Sequence, residues 1–226
     1  FNAETNAYRI IEINARLSRS SALASKASGY PLAFVATKLA LGYTLDQIGE
    51  MGTTNSAYKA PELDYMIVKI PRWDLSKFAG VSRVIGSSMK SVGEIMSIGH
   101  SFEEIIQKGL RMIGQGMHGF VGNRDLTFDN VEEALSNPTD MRIFAIADAF
   151  EKGYSVEKIE ELTKIDPWFL EKLDNIYRYT HVIAQYKKIE DLPKDVLKEA
   201  KRLGFSDFQV ARYVEQHDGV MDSELI

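Results

Sequence analysis

From Phe102 to Ile113 the chain places apolar residues at three- and four-residue intervals. Phe102, Ile105, Ile106, Leu110 and Ile113 fall on one side of a helix, with Glu, Gln, Lys and Arg on the other. Ser101 stands before the first turn and Glu104 three residues later, which is the pattern of a capping box. The same periodicity, cut by turn residues, predicts helices at 130–136, 140–152, 155–164, 166–188, 193–203 and 206–216. The longest should open at Pro167, with Asp166 as N-cap and Trp168 in the first turn, and should carry part of a contact face. Gly153 and Gly204 end two others, and Ser206 with Gln209 forms a further capping box. Upstream the pattern changes. Tyr8–Ile13, Leu63–Ile70 (ending at Pro71) and Ser91–Gly99 read as strands. Short helices are expected over Ser21–Ser28, closed by Gly29, from Pro31 to Gly42, and after Thr44, where Gln47 completes a box. Met51 to Pro61 reads as loop.

This pattern gives an α+β chain: a mixed sheet with helices over residues 1–116, then an all-helical part over 117–226. The break is set in GQGMHGFVGN, residues 114–123, with four glycines in ten positions. From about Gly119 onward the helices are expected to fold as a separable unit.

Composition narrows the chemistry. The 226 residues are 45% hydrophobic and 26% charged, so the chain is globular. There is no cysteine, which excludes disulfides, thiolate metal sites and cysteine nucleophiles, and suits a reducing, cytoplasmic setting. The four histidines, His100, His118, His181 and His217, have no close ligand spacing. No apolar run approaches the roughly 18 residues of a membrane helix, and no signal peptide is visible, so no membrane partner is expected. The net charge of −5 is uneven: residues 1–116 hold 13 Lys/Arg and 10 Asp/Glu, giving +3, while 117–226 hold 14 and 22, giving −8. The acidic half argues against nucleic acid as a partner, although GFSDFQVARYV looks like the start of a helix-turn-helix. The chain begins at Phe1 and runs directly into a strand-like segment, so it is expected to be a piece of a larger fold.

Candidate chemistry concentrates in IIEINARLSRSSALASKASGYP, Ile10 to Pro31. In a strand, residues i and i+2 share a face, so Glu12 and Asn14 point together and Arg16 keeps their parity, with Arg19 in the loop beyond. Two oxygen ligands so placed suit a hard cation completed by water and phosphate, and guanidiniums suit the phosphate oxygens. An edge strand with one solvated face explains the spacing equally well. Gly114-x-Gly116-x-x-Gly119 has a helix before it and no helix opening from it, so it reads as linker rather than a dinucleotide fingerprint. Ser87-Ser-Met-Lys90 lacks the partner motifs of penicillin-recognising enzymes. Lys90 and Glu94 flank a Gly/Ser-rich turn into a strand. Trp168, Phe169, Tyr177, Tyr179 and Tyr186 sit at helical spacing and read as core or interface.

Taken in order, IEINARLSRSSALASKASGYPLA, DYMIVKIPRWDLSKFAG and SSMKSVGEIMSIG, followed by RIFAIADAFEKGYSVEKIEELTKIDPWFLEKL and AKRLGFSDFQVA, resemble the carbamoyl-phosphate synthase large subunit over nearly the whole chain. The resemblance implies the end of an ATP-grasp carboxyphosphate domain, residues 1–116, followed by the oligomerisation domain, residues 117–226. It implies a ligase that uses ATP, bicarbonate and ammonia (from glutamine) to make carbamoyl phosphate for pyrimidine and arginine biosynthesis. Glu12 and Asn14 then match the strand holding Mg²⁺ or Mn²⁺ on the ATP phosphates, with K⁺ a further candidate cation. Arg16 and Arg19 match arginines close to the transferred phosphoryl group, and Met89 and Glu94 match a segment beside an internal tunnel. The implied partners are a glutaminase small subunit or domain, the second half of the large subunit, and further copies in an oligomer. YKAPELDY departs from the family's run before DY, and the stretch from Gly114 to Phe128 is shorter than the resemblance leads one to expect. The phosphate loop and adenine pocket of an ATP-grasp domain are not in this sequence, so the chain alone should be inactive. A pure association module, or another ATP-grasp carboxylating ligase such as a biotin carboxylase relative, are the alternatives. The helical half speaks against the second.

Overall fold

Two of the predicted strands pair as one antiparallel hairpin. Met66–Arg72 (β1) and Gly93–Gly99 (β2) run in register from Met66 opposite Gly99 to Arg72 opposite Gly93. β1 continues through Pro71, where the sequence suggests a stop. In a two-stranded sheet both strands are edges, and proline's missing N–H can face away from the partner. The computed structural model describes residues 2, 5–10, 13–50, 62–114, 116–123 and 126–215. They are α+β as expected, and they pack as two units, residues 1–64 and 65–226.

The first unit holds Arg19–Ser28 (α1), Leu32–Ala40 (α2) and Leu45–Glu50 (α3). α1 stops at Gly29, whose φ of 69° is the left-handed cap the sequence calls for. Thr44 and Gln47 form the expected box: the Thr44 N–H donates to Gln47 Oε1 at 3.0 Å and the Gln47 N–H to Thr44 Oγ1 at 3.4 Å. Among the described residues of this unit only Val35 and Ile48 are buried apolar side chains. The strand expected over Tyr8–Ile13 is not formed in its described residues. Tyr8, Ile10 and Ile13 are 76%, 70% and 81% exposed, and the pairing described nearby is an isolated bridge from Asn2 to Ala7. A strand exists only through hydrogen bonds to a neighbour, and the described residues supply none to this segment. Ile11, Glu12 and the loop at 51–61 lie outside the described residues.

The second unit follows the predicted punctuation closely. β2 leads into Phe102–Met112 (α4), and Val131–Ser136 (α5), Arg142–Glu151 (α6), Val156–Thr163 (α7), Pro167–Ile183 (α8), Lys194–Arg202 (α9) and Asp207–Glu215 (α10) follow. Ser101 caps α4 by accepting from the Glu104 N–H at 3.2 Å, while the Glu104 carboxylate accepts from the His100 N–H at 2.8 Å. Burial pushes the Glu104 carboxyl up, but the Lys108 ammonium and the His100 amide outweigh it and hold the group below its usual range. Asp166 caps α8 through the Trp168 N–H at 2.9 Å. The hairpin lies on α4, where Gly109 leaves room for Ile70.

The glycine-rich stretch runs through this unit rather than around it. Phe120 is fully buried, and Val121 shares one apolar cluster with Ile106 and Leu110 of α4 and with Leu170, Ile176 and Val210. Two buried amides fix that passage. Gln107 Oε1 accepts from the Phe120 N–H at 3.1 Å and from Gln209 Nε2 at 3.0 Å, and Gln209 Nε2 also donates to the Val121 carbonyl at 2.9 Å. Gln209 Oε1 accepts from the Ser206 N–H at 3.0 Å and from Arg111 at 3.2 Å. Gly119, with φ 146°, has no room for a Cβ because Gln209 Nε2 would sit 2.7 Å from it. At Gly204, φ 83°, a Cβ would lie 2.9 Å from the Glu104 backbone. In this arrangement α4 and the segment after Gly119 complete each other, so the separable helical unit expected from Gly119 would lose one wall of its core.

Replacing Gln209 by Leu should strand the Val121 carbonyl, the Ser206 N–H and one lone pair of Gln107. Urea denaturation followed by circular dichroism should show a loss of about 2–4 kcal/mol. A change within about 0.5 kcal/mol of the original would mean that water replaces these bonds without cost.

Candidate functional site

The stretch that carries the candidate phosphate chemistry is irregular from Ile13 to Ser18, with a bend at Ala15 and Arg16, and then enters α1. Asn14, Arg16 and Arg19 are all exposed. Arg16 folds back, its Nη1 donating to the Leu17 carbonyl at 3.3 Å. Arg19 occupies the first helical position, and the Ser18 N–H before it is met by Ser21 Oγ at 3.2 Å. Two guanidiniums and one side-chain amide therefore lie within six residues on open backbone, a donor set suited to an anion with several oxygens. Glu12 lies outside the described residues. Among the described residues no group of three or more His, Cys, Asp or Glu is placed to hold a metal ion. The donor chemistry of Asn14 fits a hard cation as one oxygen ligand in a larger set.

Met89 and Glu94 belong to the second unit. Met89 is 92% exposed, on the connection between β1 and β2. Glu94 sits in β2 opposite Pro71 and pairs with Lys69 at 2.8 Å. Lys90 is spent on the turn itself, its Nζ donating to the carbonyls of Ser82 and Val84 at 2.9 and 2.7 Å.

One interaction in this connection has no sequence signal. Arg83 grips Asp140, 57 positions away, through two parallel bonds of 2.8 and 2.7 Å. The Asp140 side chain is only 2% exposed. Its bonds hold the Arg83 guanidinium above its ordinary pKa, with burial opposing. Beside it Val84 bridges Thr139, and the Ile85 N–H donates to the Pro138 carbonyl at 2.6 Å. The segment carrying Met89 and Lys90 is thus clamped to the start of α6. Nothing in the spacing of Arg83 and Asp140 marks them as partners.

The glycines of the G-x-G-x-x-G run follow α4 rather than a strand, which does not match a dinucleotide fingerprint, and Phe120 directly behind them is core, so this stretch is not the exposed linker that its composition suggests. Tyr177 stacks on Phe150, and the Tyr179 hydroxyl donates to the Val196 carbonyl at 2.9 Å, so both are structural. Trp168 and Phe169 cluster with Phe102 at ring-centroid distances of 5.6 and 5.5 Å and stay nearly half exposed. No helix among the described residues is long and apolar enough to cross a membrane.

Two stretches of the chain match known domain types. Residues 1–48 match the carbamoyl-phosphate synthase L chain ATP binding domain, and residues 94–223 match the carbamoyl-phosphate synthetase large chain oligomerisation domain. The chain belongs to the carbamoyl-phosphate synthase large-chain family. Among its relatives, the multifunctional protein URA2 of Saccharomyces cerevisiae is 52% identical over 219 residues, 96% of this chain and 10% of that protein. The mitochondrial arginine-specific carbamoyl phosphate synthase large chain of Schizosaccharomyces pombe is 51% identical over 92% of this chain and 18% of its own length. The multifunctional protein CAD of Squalus acanthias is 51% identical over 94% of this chain and 9% of its own. The chain therefore spans between about a tenth and a fifth of the relatives it matches.

Breaking the clamp at Arg83 strands a buried carboxylate, whereas Asp140→Asn leaves a half-exposed guanidinium that water can reach. Arg83→Met should cost about 2–4 kcal/mol and Asp140→Asn clearly less, and the double variant less than their sum. Equal additivity in chemical denaturation would show that the pair is not coupled.

Proposed function

We propose that this chain is a piece of an ATP-dependent ligase that makes carbamoyl phosphate from bicarbonate and ammonia, with glutamine as the ammonia source, for pyrimidine and arginine biosynthesis. The observation that carries the reading is the order of matched domains along one chain: the ATP-binding domain at residues 1–48, then the oligomerisation domain at 94–223. The relatives' printed names, a carbamoyl phosphate synthase large chain and multifunctional proteins, support it. In domain terms we read the chain as the end of the ATP-grasp domain, residues 1–116, followed by the oligomerisation domain, residues 117–226, although the oligomerisation match starts earlier, at residue 94, and α4 shares the core of the helical part.

In this reading Glu12 and Asn14 hold Mg²⁺ or Mn²⁺ with the rest of an ATP-grasp domain, and K⁺ is a further candidate. The metal, when bound, neutralises phosphate charge. Arg16 and Arg19 bind the remaining anionic oxygens, and their work is positioning and electrostatic stabilisation of a migrating phosphoryl group. Met89 and Glu94 lie beside a passage for the intermediate, with the Arg83–Asp140 clamp fixing the segment that bears Met89. The partners are a glutaminase small subunit or domain, the second half of the large chain, and further copies. The lack of cysteine suits a reducing compartment, and the cytoplasm is the reading we favour.

In the intact parent enzyme, Glu12→Gln should remove most bicarbonate-dependent ATP hydrolysis while sparing ATP synthesis from carbamoyl phosphate at the second site. Equal loss of both partial reactions would make Glu12 structural. The isolated chain of 226 residues should hydrolyse ATP no faster than buffer, with or without bicarbonate. Bicarbonate-stimulated turnover by it would contradict the assignment of the nucleotide pocket to residues beyond it.

A further inference from the structure

Within the second unit, β1, α4 and α6 do not close completely on one another. A cavity of about 370 Å³ remains, walled by Val68 and Ile70 of β1, Ile106 and Leu110 of α4, and Ile143 and Ile146 of α6. Its size falls in the range of small-molecule pockets. Arg142, the first residue of α6, also lines it. The Arg142 side chain is half-buried and has no ion-pair or hydrogen-bond partner among the described residues. Burial draws its guanidinium below the ordinary arginine pKa, and no neighbouring charge opposes that.

The other charged groups at the cavity are already committed. Asp140 is held by both of its bonds to Arg83, and Lys69 is paired with Glu94. One unneutralised cation thus borders an apolar chamber. A guanidinium keeps its charge at any physiological pH, and a partly desolvated charge without a counter-ion is unfavourable. An anion delivered into reach of Arg142 would recover that cost, and the apolar wall requires that the anion carry an apolar body.

We propose that this cavity is a binding site for a small amphipathic carboxylate. The carboxylate lies on the Arg142 fork, and the apolar body rests against the isoleucines of β1, α4 and α6. The site uses none of the residues of the phosphate-binding stretch and stands independently of the function proposed above.

Trp73 lines the cavity and is one of two tryptophans in the chain, so Trp168→Phe leaves it as the sole tryptophan, read by excitation at the red edge where tyrosine does not absorb. That variant of the full chain is titrated with phenylbutyrate and, in parallel, with the uncharged analogue phenylbutanol. Phenylbutyrate should give a saturable change with a Kd below about 1 mM, and phenylbutanol should bind about tenfold more weakly. Adding Arg142→Gln should weaken phenylbutyrate about tenfold and leave phenylbutanol unchanged, while Arg142→Lys keeps part of the preference. No saturation by about 10 mM, equal binding of acid and alcohol, or full retention of acid binding in Arg142→Gln would each overturn the proposal. Should Arg142→Gln lose its near-ultraviolet circular dichroism, the acid-to-alcohol ratio in the parent and in Arg142→Lys decides the question alone.

Discussion

The second unit depends on a hydrogen-bonded pair of buried glutamines. Gln107 on α4 and Gln209 on α10 are fully enclosed, and between them they satisfy the Phe120 N–H, the Val121 carbonyl and the Ser206 N–H. A polypeptide cannot pass through an apolar core unless its peptide groups are paired. Regular structure does this elsewhere in the unit, but residues 119–122 form neither helix nor strand. The two amides take that role, and they lock α4, the glycine-rich passage and the turn before α10 into one body. Arg111 extends the same network by donating to the Gly204 carbonyl at 2.7 Å.

A second polar device fixes the connection between β1 and β2 to the start of α6. The connection between β1 and β2 is long and largely exposed, and little apolar packing would hold it in place. Arg83 supplies the missing restraint by closing on Asp140 at the start of α6. Because the Asp140 carboxylate is almost wholly buried, its charge is tolerable only while both bonds are made. The same commitment leaves Arg142, two residues on, without a counter-ion at the cavity rim.

The first unit shows the opposite economy. α1 and α3 form with the caps their sequence encodes and α2 without a side-chain cap, yet Tyr8, Ile10, Ile13 and Leu41 are mostly exposed, and Val35 and Ile48 are its only buried apolar side chains among the described residues. A local hydrogen-bonding signal is enough for a short helix with a good cap, whereas a strand needs a partner. The segment carrying Asn14 and Arg16 is therefore irregular and exposed. Its chemistry is legible only as residue types in order.

Local chemistry was readable in the residues themselves. The Ser101, Ser206 and Asp166 caps, the left-handed Gly29 and the apolar stripe of α4 each involve positions within a turn or two, so spacing alone specifies them. The family resemblance, and with it the candidate roles of Glu12, Asn14, Arg16 and Arg19, was legible for the same reason, as an uninterrupted run of residue types. What sequence could not show depends on positions far apart in the chain. Gln209 reads as a helix cap and is one, yet its amide nitrogen reaches Gln107, 102 positions earlier. Arg83 meets Asp140 across 57. The glycine-rich stretch reads as a link between domains because glycines and polar residues commonly make one. Only the packing of α4, α8 and α10 around Phe120 turns that stretch into core, since burial is a property of neighbours in space and not of neighbours in sequence.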